Sequence, residues 1–363
     1  MTEGNANRAV LLRERARSEP SAVDVADIVE TLVRGDRDER AAAIEAYDAV
    51  IRERPGVTDD AAAVLETFLT HESADVRLRG AKTAGILVER DPDGFGGVVP
   101  SLRSLADNPA ESAREPAVLA LSALALERPA AAAPASDVLC EMAGASIVSP
   151  DDGHSSKRGA RGTRDPTVRA NPEQDRRDQL RVRAIAALTC IAAAQPDAVR
   201  EHVGDVAALL SDENYHVRTG ACEVLESVAA AVPDTVAPHA PALATRIDDD
   251  TKHPVLRRAA DALEALAETY PECVGDEIAP IAAELEPLFG ASDPAVRRTG
   301  LRLLLVAARR ESESVEAVAP LCRELRSADP DERVRALAER TIEVAEQNAP
   351  GEHNRTAGSS DDS

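Results

Sequence analysis

The sequence predicts an all-α solenoid of about eight helix pairs. The prediction rests on three kinds of residue that recur at fixed positions along the chain. An anchor position recurs at intervals of 37, 37, 67, 37, 38, 41 and 38 residues: Glu39, Val76, Ala113, Leu180, Val217, Val255, Val296 and Val334. Four positions after the anchor the residue is always alanine or glycine, and sixteen positions after it a proline stands in seven of the eight units. Periods of this length are typical of stacked helical repeats.

Each unit is predicted to contain two helices. Apolar residues follow the anchor at positions +5, +8, +11 and +12, as in Val118, Leu121, Leu124 and Ala125, which is the spacing of one apolar helix face. The small residue at +4 indicates the close approach of another helix, and the proline at +16 ends the helix because it lacks a backbone donor. A shorter apolar segment precedes each anchor, so the order is helix, turn, helix, turn.

These units resemble HEAT repeats over about residues 21–350. The resemblance rests on the helix-opening sequences DPAVR at 293–297 and ADVR at 74–77, and on prolines inside the first helix at Pro100, Pro241 and Pro280, as well as at Pro320. It implies a right-handed α-solenoid with bent first helices. Armadillo repeats, with three helices each, are the alternative, but they require more residues per unit. Neither resemblance specifies a function, because one fold supports many.

The register divides the chain into five segments. Residues 1–20 are predicted to form an N-terminal capping helix, because the end of a solenoid would otherwise expose its apolar stripe. Residues 21–145 hold the first units, up to the first helix of the fourth. Residues 146–178 are predicted to be a disordered polar insertion. Residues 179–348 hold the remaining helices, and residues 349–363 are predicted to be a disordered tail.

The insertion follows from the one long interval, since 67 residues less the usual 37 leave 30. It is rich in glycine, serine, proline and charge, a composition that does not fold alone. Its cations are candidate partner-binding residues: Lys157, Arg158, Arg161, Arg164 and Arg169. Two interpretations stay open, a flexible arm that binds an acidic partner and a tolerated surface loop that costs the fold little.

An arginine recurs at or next to the position after the anchor, and we name this set the arginine ladder: Arg40, Arg77, Arg114, Arg181, Arg218, Arg257, Arg297 and Arg335. One interpretation is a track for anions. The favoured interpretation is structural, with each guanidinium pairing with an acidic turn residue of a neighbouring unit. The candidate partners are Asp75, Asp212, Asp250, Asp293, Asp329 and Asp331.

Composition narrows the classes of partner and compartment. The net charge is −23, only three of the 42 basic residues are lysines, and aromatic residues make up 2%. This composition resembles proteins of salt-adapted archaea. Such acidity argues against nucleic-acid binding, which depends on neutralising phosphates. No apolar stretch reaches the length of a membrane span or a signal peptide. The five cysteines lack CxxC spacing and are expected to be reduced, so a cytoplasmic protein is predicted.

No catalytic, cofactor-binding or metal-binding residues are predicted. The seven histidines form no HExxH pattern, and His71–Glu72 is a single pair where repeat-borne hydroxylases use several. We therefore expect a non-enzymatic scaffold or adaptor that binds another protein, in a setting such as a signalling, taxis or chromosome-associated complex. The alternatives are a repeat-based lyase or hydroxylase, and RNA contact through residues 157–169. Neither the partner's identity nor the oligomeric state follows from the sequence.

Overall fold

A computed structural model describes residues 3–54, 56–145, 172–310, 316 and 318–348, and the regular structure within these ranges is helical. The chain forms two compact units, which we call unit 1 (Met1–His202) and unit 2 (Val203–Ser363). Unit 1 contains α1 Glu3–Ser18, α2 Val25–Arg34, α3 Arg37–Glu53, α4 Val57–Leu69, α5 Ala74–Val88, α6 Val99–Asp107, α7 Arg114–Glu127, α8 Pro129–Ala132, α9 Ser136–Gly144 and α10 Pro172–Ala194.

Unit 2 repeats the same alternation of a short or broken first helix and a longer second helix. Its helices are α11 Val203–Ala208, α12 Tyr215–Ala231, α13 Pro233–Val236, α14 Ala240–Asp249, α15 His253–Ala267, α16 Pro271–Ile278, α17 Glu286–Phe289, α18 Pro294–Arg310, α19 Ala319–Ala328 and α20 Glu332–Asn348. Every anchor lies in, or directly before, the second helix of a pair. The described residues therefore contain the eight pairs that the register predicts, four in each unit.

The small residue at +4 is required by the first helix of the same pair. A Cβ added at Gly80 would lie 3.2 Å from Cβ of Phe68 and 3.3 Å from its backbone carbon. One added at Gly300 would lie 2.9 Å from Cε1 of Phe289 and 3.0 Å from Cβ of Leu288. These separations are shorter than ordinary carbon–carbon contact, so the two helices of a pair approach closely only where the second carries a small residue.

The proline at +16 has a different role from the predicted one. The second helices end before it, α7 at Glu127 and α12 at Ala231, and the proline then begins the next helical segment. Pro129 and Pro233 are the first residues of α8 and α13. Proline suits this position because its fixed φ fits the first turn, where a backbone donor has no intrahelical partner.

The first helices of several pairs are broken, as the resemblance implies. A 3₁₀ turn at Ala133–Ala135 precedes α9, another at Ala237–His239 precedes α14, and Ala279–Leu285 separates α16 from α17. Each break contains a proline, which removes one backbone hydrogen bond from the helix. At the last break, Ile281 has non-helical φ and ψ of −114° and 18°.

The first and last helices of unit 1, α1 and α10, are held by different contacts. Helix α1 packs along α3, where the Arg17 guanidinium donates to Glu45 at 2.6 Å. Helix α10 begins at Pro172, so residues 172–178, which the sequence assigns to the disordered insertion, are helical and that predicted boundary is wrong. The first turn of α10 carries acidic residues, which favour a helix N-terminus, and Arg176 Nε donates to Glu115 on α7 at 2.5 Å.

Candidate functional site on the second helices

The arginine ladder joins consecutive helix pairs through the turn between the helices. Arg218 Nη1 donates to the carbonyl oxygens of Asp212 and Glu213, at 2.7 and 3.0 Å, in the turn before its own helix. Its Nε and Nη2 donate to the carboxylate of Asp250, in the next pair, at 2.5 and 3.0 Å. Asp250 Oδ1 also accepts from the backbone nitrogen of Lys252 at 3.0 Å, so one carboxylate orders its turn and holds the preceding pair.

Arg297 repeats this geometry at the end of unit 2. It donates to the Ala291 and Ser292 carbonyls at 2.6 and 3.1 Å, and to Asp329 at 2.7 and 2.9 Å. Burial alone would raise the pKa of Asp329, but the hydrogen bonds from Arg297 and from the Asp331 backbone hold it below its ordinary value. The pKa of Asp250 is lowered in the same way by Arg218, against the effect of burial.

The other described contacts of the arginine ladder involve glutamates, a longer separation or backbone carbonyls. Arg77 bonds to Glu111 at 2.6 Å, Arg114 to Glu141 at 2.6 Å, and Arg257 lies 3.8 Å from Asp293. Arg181 donates to the Ala143 carbonyl at 3.0 Å, and Arg335 to the Asp329 and Pro330 carbonyls at 2.7 and 3.2 Å. For Arg40 the described contacts include a backbone hydrogen bond to Asp36.

These contacts bear on the two interpretations of the arginine ladder. In Arg218 and Arg297 the Nε, Nη1 and Nη2 atoms all donate to protein oxygens, which leaves little capacity to hold an external anion. The geometry therefore favours the structural interpretation. Asp250, Asp293 and Asp329 are candidate partners that face an arginine of the preceding pair.

Two of the candidate partners have other contacts. Asp75 pairs with Arg79 on its own helix, and Asp331 lies 3.4 Å from Arg298, which is not a member of the arginine ladder. The described ion pairs of these two aspartates are thus with arginines outside the ladder. Both stand at the start of a second helix, where a carboxylate is also stabilised by the helix dipole.

One shallow pocket of unit 1 brings together residue types used in nucleophilic catalysis. Ser136, Asp137 and His202 line it, with a volume of about 520 Å³. Ser136 Oγ, however, donates to the Ala133 carbonyl at 2.8 Å, and Asp137 accepts a bidentate hydrogen bond from Arg103. The serine is thus engaged away from the histidine, and the described hydrogen bonds do not include the nucleophile–base contact that such chemistry requires.

The described thiols and possible metal ligands show no reactive grouping either. Burial raises the pKa of Cys322 to about 11, and it raises the pKa of the buried Cys222 as well, so thiolate is scarce at neutral pH. The five cysteines, all of them within the described ranges, are thiols and not disulfides. Within those ranges, no group of three or more His, Cys, Asp or Glu is placed to hold a metal ion. No helix of the described segments is long and apolar enough to cross a membrane.

Helix α7 carries a second apolar stripe outside the core. Its core stripe, which includes Leu121 and Leu124, is fully buried. The second stripe occupies positions +6, +10 and +13, where Leu119 and Ala123 are partly exposed and Leu126 is 57% exposed. These three residues contribute to neither the close crossing at +4 nor the arginine ladder, so the packing of the pair does not account for them.

The second stripe of α7 is continued by its two neighbours. Helices α5 and α10 pack on either side of α7, and a Cβ added at Gly85 on α5 would lie 4.0 Å from Cα of Ala120 on α7. At positions +6 to +13 these neighbours also present partly or fully exposed apolar residues. We name the combined surface the apolar patch and define it by six residues: Ile86, Leu119, Ala123, Leu126, Ala186 and Ala193.

Two positive charges border the apolar patch. Lys82 on α5 and Arg183 on α10 are both exposed, and neither has an ion-pair partner among the described residues. They lie at positions +6 and +3 of their helices, toward the N-terminal end of the patch. Glu89, at position +13 of α5, is exposed at the opposite end. The patch therefore has cations at one end and a carboxylate at the other.

Unit 2 carries an ion-pair network at the same register. Arg258 Nε lies 2.8 Å from Glu223, and its Nη1 lies 3.6 Å from Glu226 and 3.7 Å from Asp261. Burial and then the charge of Asp261 raise the pKa of Glu226, and burial is the main cause of the raised pKa of Asp261. The carboxylates here are therefore crowded as well as paired. Arg302, at position +6 of α18, likewise pairs with a glutamate of α15.

The sequence-predicted partner-binding residues cannot be placed on this surface. Lys157, Arg158, Arg161, Arg164 and Arg169 lie outside the described residues, so their role stays a prediction. Sequence reasoning missed the apolar patch, although the segment AVLALSALAL at 117–126 contains its signal. A helix that needs one apolar stripe for its core carries two, and the second stripe has no predicted structural partner.

No family model matches the chain, and no curated protein matches it. Among solved structures, an engineered protein aligns over 95% of this chain and 86% of its own, with a TM-score of 0.62 and 19% identity. A designed armadillo repeat protein in complex with the peptide (KR)4 aligns over 68% of this chain and 99% of its own, with a TM-score of 0.48 and 16% identity. A Kap121p mutant aligns over 95% of this chain and 40% of its own, with a TM-score of 0.43 and 16% identity.

Sequence identities this low give information on the fold alone. The fold class rests on the engineered protein, whose TM-score is 0.62. It agrees with the consecutive packing of helix pairs inside each unit. The predicted fold class is confirmed: this chain is a helical-repeat protein of the all-α solenoid class.

Proposed function

We propose that the protein is a non-enzymatic scaffold that binds another protein through the exposed face of its second helices. The observation that carries the proposal is the apolar patch, which places apolar side chains of three neighbouring helices outside the core of unit 1. A contiguous apolar surface with a polar border is typical of a surface that another protein covers. The arginine ladder and the close helix crossings hold this face in place.

The free energy available from burying these side chains favours protein binding over a purely structural role. Fully burying a large aliphatic side chain stabilises a complex by about 1.5–3 kcal/mol, so completing the burial of Leu126, Leu119 and Ile86 supplies part of a moderate affinity. In the folded chain alone, the exposed part of Leu126 contributes nothing of this kind. The small side chains of Ala123, between the two leucines, and of Ala186, on the neighbouring helix α10, let a partner approach the helix backbones closely. An apolar centre with charges at its border has the composition of a protein interface.

The enzymatic alternative receives less support from the geometry. The pocket that holds Ser136 and His202 has its serine and carboxylate engaged elsewhere, and the buried thiols of Cys222 and Cys322 have raised pKa values.

The proposal of a cytoplasmic location is supported by the five reduced cysteines, which suit a reducing compartment. An adaptation to high salt, as the acidic composition suggests, would appear as a rise in melting temperature with salt concentration.

The test is a site-specific photo-crosslinker placed at Ala123, in the centre of the apolar patch, with a matched control at Ser104, an exposed position on α6 in the same helix pair. In an extract of the source organism, the proposal predicts protein crosslinks from position 123 that are lost when Leu126→Asp is added. Equal crosslinking from both positions, or persistence in the Leu126→Asp chain, would contradict binding at this face. Mass spectrometry of the crosslinked product identifies the partner, and with it a signalling, taxis or chromosome-associated setting.

The insertion provides a second arm of the same experiment. A chain in which Lys157, Arg158, Arg161, Arg164 and Arg169 are all replaced by serine tests whether these cations bind a partner, as the sequence predicts. If crosslinking from position 123 persists in this chain, then the face acts without the cations. If nuclease treatment abolishes a product that depends on them, then the RNA alternative applies to the insertion.

A further inference from the structure

We propose that the apolar patch, together with Lys82 and Arg183, recognises a short peptide segment that combines apolar and acidic side chains. The proposal rests on the proposed function and makes it more specific, because it names the chemistry of the partner and the helices that bind it. The site lies entirely within unit 1, on α5, α7 and α10.

The apolar part of the site has a defined shape. Leu119, Ala123 and Leu126 succeed one another by four and three residues, so they lie along one side of α7 over two helical turns. The alanine leaves a low point between the two leucines. The next helix presents Ala186 at the register of Leu119, so that leucine is not covered by a longer neighbour on the α10 side. Apolar side chains of a partner can therefore contact the leucines and reach the helix surface between them.

The charged part of the site selects the partner's sign. Lys82 occupies position +6, the same register as Leu119, and Arg183 occupies position +3 of α10. Both are exposed and without an ion-pair partner among the described residues, in a chain whose net charge is −23. A carboxylate brought next to either would gain an attraction that no protein group already satisfies. A basic segment would instead be repelled at this position.

The two ends of the patch also differ in charge, which gives the bound peptide a direction. Glu89 is exposed at position +13 of α5, at the end opposite Lys82 and Arg183. An acidic side chain of the peptide is therefore attracted toward the N-terminal ends of these helices and repelled near their C-terminal ends. We expect the acidic residues of a bound peptide to stand on one side of its apolar residues.

The network of unit 2 shows why the same chemistry is not expected there. Position +6 is Glu223 on α12 and Arg302 on α18, and both are already paired, with Arg258 and with Glu264. A partner that bound this surface would have to break those ion pairs. If it left them intact, it would gain little electrostatic attraction from them. Arg302 is therefore a matched control for Lys82, with the same register and sign but a different pairing state.

The experiment selects a displayed random-peptide library on the full chain, with the Ala123→Asp, Leu126→Asp double variant as the counter-selecting bait. We expect enriched peptides with closely spaced apolar residues and Asp or Glu. A synthesised peptide from this pool should bind about tenfold or more weakly to the double variant. It should also bind several-fold more weakly to Lys82→Glu, Arg183→Glu, and with unchanged affinity to Arg302→Glu and to Leu11→Asp.

Leu11 is the apolar control because it is 56% exposed, against 57% for Leu126, but lies on α1. Folding of each variant is checked by its circular-dichroism spectrum and melting temperature. A charge exchange adds a gain-of-function readout, since the Lys82→Glu, Arg183→Glu chain should prefer the same peptide with its acidic residues replaced by lysine. The preference should weaken between ~0.1 M and ~1 M salt, as the screening length falls from ~10 to ~3 Å.

Three results separate this inference from the proposed function. Enriched peptides that are apolar and acidic, and whose binding depends on the patch residues and on Lys82 and Arg183, support the inference and the proposed function together. Enriched peptides that are basic overturn the inference, and so do peptides whose affinity falls with Arg302→Glu but not with the double variant. In either case the protein still binds peptides, as a scaffold would. Absence of enrichment on the wild-type chain over the counter-selecting bait overturns the inference, and absence of crosslinks from position 123 contradicts the proposed function.

Discussion

Unit 1 and unit 2 share one helical register but use its exposed positions differently. On α7 of unit 1, positions +6, +10 and +13 are Leu119, Ala123 and Leu126, whereas on α12 of unit 2 the same places hold a glutamate, a serine and an alanine: Glu223, Ser227 and Ala230. Around them, the described part of unit 1 has cations without ion-pair partners, and unit 2 forms ion pairs. The same register positions therefore carry a surface suited to binding a partner in unit 1, whereas in unit 2 they carry side chains that already pair with one another.

The strongest pairs of the arginine ladder also differ in geometry between the units. In unit 2, Arg218 and Arg297 each form two hydrogen bonds with an aspartate of the next pair. In unit 1, Arg114 forms one bond with Glu141, whose side chain is 54% exposed. A longer, more exposed acidic side chain fixes the arginine less firmly, because solvent screens the pair. Arg77 of unit 1 also pairs with a buried carboxylate, that of Glu111 at 2.6 Å, so what distinguishes Arg218 and Arg297 of unit 2 is the bidentate geometry and not burial alone.

The largest effect is expected from breaking the most buried pair of the arginine ladder. Asp329→Ala leaves the Arg297 guanidinium buried without its carboxylate, which should lower the free energy of unfolding by about 3 kcal/mol or more. Glu141→Ala, the counterpart in unit 1, should cost only about 0–1 kcal/mol because the pair is exposed. Chemical denaturation of both variants gives the two values. Equal losses would remove the proposed difference between these two pairs.

The next effect concerns the close crossing that both units share. Gly300→Leu should lower the free energy of unfolding by about 1–3 kcal/mol, because the new side chain overlaps Leu288 and Phe289. Gly290→Leu is the matched control in the same pair, since no atom lies within 4 Å of a Cβ added there. Thermal melting followed by circular dichroism compares them, and an unchanged melting temperature for Gly300→Leu would refute the packing at +4.

A smaller effect is expected from the cations on the two exposed faces. Arg258→Ala removes the charge shared by Glu223, Glu226 and Asp261, and should cost about 1 kcal/mol at neutral pH. Lys82→Ala removes a cation with no ion-pair partner among the described residues, and should change stability by less than about 0.5 kcal/mol. Denaturant titrations of both variants test the difference. A larger loss for Lys82→Ala would mean that this lysine is engaged in the folded chain.

The smallest effect tests the crowding of carboxylates in unit 2. The raised pKa of Glu226 means that the folded chain disfavours its charged form, so Glu226→Gln should slightly raise the free energy of unfolding at neutral pH. The gain should vanish as the pH falls through the raised pKa to below the ordinary glutamate range, because the wild-type carboxyl is then protonated in both states. Stability curves measured against pH check this, and a gain that grows on acidification would have the wrong sign.

Sequence predicted the parts of this molecule that repeat, because repetition averages out the ambiguity of any single helix. The anchors, the small residue at +4 and the pairing of Arg218 and Arg297 with the next pair all follow from the register. The start of α10 was missed because residues 172–178 are polar, and their helix depends on continuation into the apolar segment and on the bond from Arg176 to Glu115. Composition alone cannot show such tertiary support.

The candidate site was missed for a related reason. A search for one apolar stripe per helix assigns Leu121 and Leu124 to the core and has no place for a second stripe through Leu126. Only the packing of α5 and α10 around α7 shows which of the two stripes the neighbours cover. Likewise, the lack of an ion-pair partner for Lys82 and Arg183 becomes apparent from the contacts of the described residues, because the sequence does not show which acidic residues lie near a given cation.

The central claim is that the exposed face of unit 1, and not that of unit 2, binds the partner. The most direct measurement is the affinity of one selected peptide for three chains: wild type, Ala123→Asp with Leu126→Asp, and Ser227→Asp with Ala230→Asp, which places the same charges at positions +10 and +13 of α12. The account predicts a loss of about tenfold or more in the first double variant and none in the second. Equal affinity for all three chains, or a loss confined to the unit 2 variant, would contradict it.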